Sequence, residues 1–290
     1  MKKTVLPLTI IVLFFSYMLV QYSGAANIQH DYTSPSLEQE VYNQANADTI
    51  RILNYNIRYG RGIDDVLDLR RIAEIILETD ADIAALQEVD VGVERSFRFD
   101  IMKILSGYTG MEPVFYKNIP HQGGEYGNGT LSRHPVISSR NYHFVVTGGG
   151  EQRGLLQAEI DINGQKIALM NTHLDHRPDE TQRLMSVDQI IETKRAYRGM
   201  PVLAVGDFND TPGSQTHLNM KEYFEDVWEL LGDGEGYTFR SDNPHRRIDY
   251  IFFTNNLAGK GSRHLRPVSI EVLDTQASDH LPILVTFVLE

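Results

Sequence analysis

Residues 201–214 read PVLAVGDFNDTPGS. Pro201 to Val205 is a short apolar run, the pattern of a buried strand. Asp207, Asn209 and Asp210 follow at once, then Thr211-Pro212-Gly213. A turn accounts for Asn209 and Asp210, because short polar side chains hydrogen-bond their own backbone there. It does not account for the same arrangement after other strands. ILNYNIRYG (52–60) places Asn56 after a strand, IAALQEVD (83–90) places Glu88, and IALMNTHLDH (167–176) places His173 with Asp175 and His176 behind it. RRIDYIFFT (246–254) sets Asp249 inside an apolar strand, and ASDHLPILVTF (277–287) sets Asp279 and His280 just before the last one. Taken singly, Glu88 reads as a solvated strand end and His173 as a core histidine. Asp249 is the hardest to read that way, since an acid inside an apolar strand needs a partner.

The elements around these strands define the class. Ile50 to Tyr55 and Ile83 to Leu86 are strand candidates. Leu69, Ile72, Ala73, Ile76 and Leu77 fall at helical spacing and predict a core-facing helix. Leu155–Ile162 and Lys166–Met170 flank Asn163-Gly164, a hairpin signal. Residues 180–193 read as a helix with Leu184, Val187, Ile190 and Ile191 inward. Thr211-Pro212 opens another helical stretch, and Arg247–Thr254 and Ile283–Val288 are later strands. Helices alternate with strands, yet hairpins are present too. The mixture implies sheets packed on each other with helices outside.

The chain has 290 residues with 27 Lys plus Arg against 39 Asp plus Glu, a net charge of −12. Such a surface repels polyanions on average, so nucleic acid is a disfavoured partner. With no cysteine there is no disulfide, no thiolate metal site and no cysteine nucleophile. A metal would need oxygen or imidazole ligands, which favours hard cations. Lys2 and Lys3 precede the apolar run Leu6–Val20, and Ser23, Gly24, Ala25 and Ala26 offer a cleavage site. The run is short of the ~20 residues of a membrane span. An export signal over 1–25 is the first reading and an uncleaved anchor the second. A polar leader is expected over 26–48 and one domain, a monomer, over 49–290.

NYNIRYG, LQEVD, GNGTLSRHP, NTHLDH, GDFND, RIDYIF and SDHLP stand in this order along residues 49–290. In this ordered set the chain resembles the endonuclease/exonuclease/phosphatase superfamily, which includes DNase I, abasic-site endonucleases and neutral sphingomyelinases. The resemblance implies a four-layered α/β sandwich: two mixed sheets face to face, helices outside, and the site where strand ends converge. It implies Glu88, Asn56 and Asp279 at a magnesium site, where manganese could substitute. It gives His280 the scissile phosphate, Asp249 the orientation of His280, and His173 a phosphate contact. Asp207 and Asn209 would hold the attacking water and stabilise developing charge, with the base left open between Asp207 and the His280–Asp249 pair. Asn128 and Arg133, from the glycine-rich loop, are substrate-contact candidates, with an ion pair the alternative for Arg133. Arg95, Arg98 and His121 read as solvated loop residues.

The expected activity is that of an exported, metal-dependent phosphoesterase acting on a small-molecule or phospholipid phosphodiester, the lipid met at a membrane surface. A secreted nuclease is the alternative. A silent binding module is a third reading, opposed by the competent residues at every matched position.

Overall fold

The computed structural model describes residues 49–255 and 264–290. The segments expected as signal (1–25) and leader (26–48) lie outside the described residues. The described strands form two six-stranded sheets. In spatial order the first holds β11 (Leu265–Val272), β12 (Ile283–Leu289), β1 (Thr49–Asn56), β2 (Ile83–Val91), β4 (Gly124–Ser132) and β3 (Glu112–His121). The second holds β5 (Val136–His143), β6 (Gly154–Ile162), β7 (Gln165–His173), β8 (Val202–Asp207), β10 (Asp249–Thr254) and β9 (Glu225–Asp226). Both are mixed in the same way, with one parallel pair at the centre, β1 with β2 and β7 with β8. A parallel pair needs a crossover. Helix α1 (Leu69–Glu78) serves the first pair, and α3 (Thr181–Lys194) serves the second; α2 (Ile101–Thr109), α4 (Gln215–Lys221) and α5 (Val227–Leu231) complete the α-helices among the described residues.

Strand alternation divides the apolar residues into three buried clusters. Ile50, Ile52, Ile83, Ala85, Leu169, Leu203, Val205, Ile251 and Val285 fill the space between the sheets. Leu53, Tyr55, Ala84 and Leu86 pack against α1 and α2. Ala168, Met170, Ala204, Tyr250 and Phe252 pack against Val187, Ile190 and Ile191 of α3 and Met220 of α4. Three interfaces make four layers, the expected sandwich. The hairpin at Asn163-Gly164 forms with both residues at positive φ (52° and 87°), as a two-residue turn requires.

Three helix details differ from the sequence reading. Leu77 is 45% exposed, because the helical period carries it about 80° round from Leu69. Leu184 is only half-buried, while Arg183 is buried. The helix expected from Thr211-Pro212 begins at Gln215, where the Ser214 side chain accepts from the His217 N–H; residues 211–214 form a turn instead.

Between the sheets the chemistry changes along every central strand at the same height. Ile50 and Ile52 give way to Asn54 and Asn56, Ile83 and Ala85 to Gln87, and Ile167 and Leu169 to Asn171 and His173. Leu203 and Val205 give way to Asp207, and Phe253 and Ile251 to Asp249. The first polar level is a buried layer of amides. Gln87 Nε2 donates to Asn54 Oδ1 (2.9 Å) and Asn171 Oδ1 (2.8 Å). Asn171 Nδ2 donates across the sandwich to Leu86 O and Gly129 O, and Asn54 Nδ2 to Gly206 O. Each bond joins the two sheets or locks an amide that does, and so fixes the register of the ionisable level above it.

Candidate active site

The ionisable level lines a cleft of about 390 Å³ at the strand ends. Glu88, His173, Asp207, Asn209, Asp279 and His280 all face it. Glu88 arrives there by a backbone irregularity. Along β2, Ala84 and Leu86 point to the helices, and strict alternation would send residue 88 the same way. A bulge between Leu86 and Val89 inserts one residue, Glu88 takes φ 57°, and Val89 resumes the helix-facing register. Bulges re-aim side chains in this manner beside active sites.

His280 Nδ1 lies 2.8 Å from Asp249 Oδ2, a buried hydrogen bond between the segment before β12 and the first residue of β10. Its Nε2 faces Asp207 Oδ2 at 3.7 Å. Burial would lower the His280 pKa, but Asp249 and then Asp207 reverse this and raise it. The ring is therefore an imidazolium, donating Nδ1–H to Asp249. Burial raises the pKa of Asp207, assisted by the charge of Asp249 and opposed by His280. His173 Nε2 lies 3.4 Å from Asp207 Oδ2, and burial followed by Arg153 pushes its pKa well down, so this second ring is neutral.

Asn56 organises the acids. Its Nδ2 donates to Glu88 Oε1 (3.2 Å) and to Asp207 Oδ2 (3.1 Å), while its Oδ1 accepts from Arg58 N–H. In this orientation the amide turns its nitrogen, not its oxygen, to the carboxylates. Asn209 donates its backbone N–H to Asp207 Oδ1 (2.9 Å) at φ 53°, and its side chain anchors on Leu174 O. Asp279 Oδ2 lies 3.9 Å from Arg58 Nε.

Among the described residues Glu88 has no cationic side chain within ion-pair distance, and its pKa is raised by burial, with Asp279 adding to the effect. Glu88, with the Asp279 carboxylate on the same cleft, fits a divalent, oxygen-loving cation. The tighter cluster of Asp207, Asp249 and His280 is already closed by its own hydrogen bond.

Two expected residues are not brought to the cleft. Arg133 sits beyond the other end of β4, where its backbone N–H meets Asp82 O and its Nη1 pairs with Asp80. Its ion-pair alternative is what the geometry supports. Asn128 is 1% exposed and donates to Gly154 O and Asn171 O, joining the sheets.

Other residues escaped the sequence reading. Ser278 Oγ donates to Asn56 O (2.7 Å) and accepts from His280 N–H, tying the histidine segment to the end of β1. Thr238 Oγ1 accepts from Asp249 N–H, and Phe239 packs its ring 4.9 Å from that of His280. Arg95 is not a solvated loop residue: it forms a two-pronged bond to buried Asp90 and lies 4.1 Å over the Tyr59 ring. Tyr126, Glu151, Arg153, His176 and Arg246 also line the cleft. The alternation of β7 could have signalled the amide at Asn171; the others carry no such pattern.

The profile of the Endonuclease/Exonuclease/phosphatase family matches residues 53–280, from within β1 to His280 itself. The chain belongs to this family. It is 26% identical over 248 residues to the Escherichia coli (strain K12) protein named Uncharacterized protein YbhP, covering 81% of this chain and 94% of that protein. To a Caenorhabditis elegans 5'-tyrosyl-DNA phosphodiesterase it is 27% identical, over 72% of this chain and 58% of the relative. The solved structure of a Bacteroides thetaiotaomicron mannosyl-6-phosphatase shares the fold, with a TM-score of 0.67 at 18% identity, over 82% of this chain and 99% of that one. Members of the family are phosphodiesterases, phosphatases and nucleases, and this chain is a phosphoric ester hydrolase.

Proposed function

We propose that the protein is an exported, magnesium-dependent phosphoesterase that hydrolyses a compact phosphodiester by direct attack of water. The observation that carries this reading is the Asp249–His280 pair standing opposite Glu88 across Asp207 and Asn56 in one small cleft. Glu88 and Asp279 would hold the cation, with Asn56 beside them. When bound, magnesium supplies charge neutralisation at the phosphate oxygens; manganese is the expected substitute. His280, kept charged by Asp249, presents Nε2–H to a phosphoryl oxygen. Asp207, held by the Asn209 N–H and the Asn56 amide, is placed to take the proton of water. A positioned base of this kind contributes roughly 10²–10⁴-fold. Neutral His173 and the Asn209 side chain complete the surround of polar donors. Export is supported by the basic, apolar, small-residue order at the N-terminus.

A nuclease or DNA-end phosphodiesterase is the second reading, favoured by the similarity to the Caenorhabditis elegans enzyme. One assay separates them: hydrolysis of DNA, RNA, sphingomyelin, phosphoinositides and bis-p-nitrophenyl phosphate, each with magnesium and with chelator. Activity should vanish in chelator and return with magnesium or manganese, and Glu88→Gln should demand far more metal. Full turnover in excess chelator contradicts the metal assignment.

A further inference from the structure

Among the described residues three arginines are almost wholly buried: Arg153, Arg183 and Arg247. Arg183 is satisfied, its Nε on Asp210 Oδ2 and its Nη1 on the carbonyls of Asp175 and Arg177. Arg247 pairs with Asp226 at 2.7 Å and lies over the Tyr250 ring, with its Nε alone left without an acceptor away from the cleft. Arg153 differs from both in leaving two donors unfilled at the cleft. It is 4% exposed, it lines the catalytic cleft, and its Nε and Nη1 have no hydrogen-bond acceptor. Glu151 Oε1 lies 3.0 Å from Nη1 but off the direction of its N–H bonds, so it offsets charge without using the donor. Nη2 is engaged, 3.3 Å from His176 Nδ1, and the Tyr126 hydroxyl is a further polar neighbour of the guanidinium.

A buried, unfilled N–H costs about 1–3 kcal/mol. Structural arginines avoid that cost, as Arg183 does. The guanidinium also presents its donors as a planar fork that matches two oxygens of a phosphate. It stands just before β6, near His173, whose pKa its charge depresses, and it acts electrostatically on Glu88 as well. Arg153 thus lines the same cleft as the strand-end cluster, together with Phe239 and Arg246.

We propose that Arg153 is the phosphate anchor of this cleft: an unfilled N–H of its guanidinium takes a non-bridging oxygen of the substrate's phosphoryl group, and Glu151 is its resident counter-charge. This rests on the phosphoesterase reading, and it places the substrate's anionic group at a residue apart from the strand-end cluster. Its hydrogen bonds exist in the bound ground state, so Arg153 contributes mainly to KM, while the His280 pair contributes to kcat.

The test uses the purified full chain and inorganic phosphate, titrated calorimetrically in chelator and again with magnesium. The native protein should bind phosphate in both conditions. Arg153→Gln should weaken binding at least about tenfold, and Arg153→Lys should restore part of it. Glu151→Gln should tighten it severalfold, a change in the opposite sense that stays readable if Arg153→Gln fails to fold. With bis-p-nitrophenyl phosphate, Arg153→Gln should raise KM more than it lowers kcat. A native protein that binds phosphate but hydrolyses no ester sinks the phosphoesterase reading and leaves the anchor standing. An active enzyme whose folded Arg153→Gln variant keeps its phosphate affinity and KM, or whose Arg246→Gln variant alone loses them, overturns the anchor. So does a Glu151→Gln variant that binds phosphate no more tightly.

Discussion

His280 carries more of the site's electrostatics than any neighbour, because two carboxylates address its two ring nitrogens. Asp249 holds Nδ1 at 2.8 Å, and Asp207 faces Nε2 at 3.7 Å. Taking away Asp249 would leave a buried imidazole without the charge that keeps it protonated and without the bond that fixes its rotation. His280→Ala, Asp249→Ala and the double variant should therefore show similar losses of kcat, since residues that work as one unit do not add. Steady-state kinetics on folded variants reads this directly. Multiplying losses would mean that the two act separately. The pairing was open to argument from the chain alone: adjacent residues in an extended segment point to opposite sides, so Asp279 was a poor candidate to orient His280 and the acid had to come from elsewhere. Arg153 was not open to such argument, because nothing in GEQRGLL sets one arginine apart from a surface residue.

Helix α5 and strand β9 share a single buried acid. Asp226 Oδ1 accepts from the Trp228 N–H at the start of α5, and its Oδ2 meets His217 Nε2 (3.0 Å) and Arg247 Nη1 (2.7 Å). Burial opposes its charge, yet the His217 bond and the Arg247 charge lower its pKa below 3.8. A depressed carboxylate pKa stabilises the fold above the ordinary carboxylate range, and that contribution is lost as pH falls through the lowered value. Asp226→Asn leaves Arg247 buried without its counter-charge, so at pH 7 it should cost about 3 kcal/mol or more. Thermal melts should show that gap shrinking as pH drops below 4, while a constant gap from pH 7 to pH 3 would show that charge is not the cause. Whether an element could be read beforehand depends on how far its partners lie along the chain. The polar residues after apolar strands were visible because a strand leaving a core has no structural use for a run of acids and amides. The bulge at Glu88 was not, since one extra residue leaves the composition of LQEVD unchanged while altering which face it serves. Most of the amide layer was hidden too: alternation along β7 points to Asn171, but Asn54 and Gln87 look like solvated strand ends until Asn171 and Gly206 of the opposite sheet supply partners.

At the scale of the molecule, charge decides between substrates that the same cleft chemistry could serve. The chain is acidic overall, and the short basic runs at Arg70-Arg71 and Arg246-Arg247 do not form a basic stripe. Arg71 is paired with Asp64 at 3.0 Å, and Arg247 is buried on Asp226. Elsewhere Arg61 pairs with Asp65, Arg95 with Asp90, Arg177 with Asp175 and Arg240 with Asp242. A protein that follows a duplex neutralises several phosphates at once and loses affinity with salt at a slope of about 0.9 per contact. Cations already paired with acids are poorly placed for that work. One phosphate, by contrast, needs only the cleft itself. Turnover of a compact phosphodiester, soluble or in a lipid head group, should therefore exceed turnover of duplex DNA at physiological salt. Between roughly 50 and 200 mM salt it should change by less than about tenfold, whereas a duplex-tracking enzyme making several phosphate contacts loses about 10³-fold or more. Parallel assays of plasmid nicking and bis-p-nitrophenyl phosphate hydrolysis across that salt range decide the matter. Efficient nicking with a steep salt slope, beside inert small and lipid diesters, would hand the function to the nuclease reading.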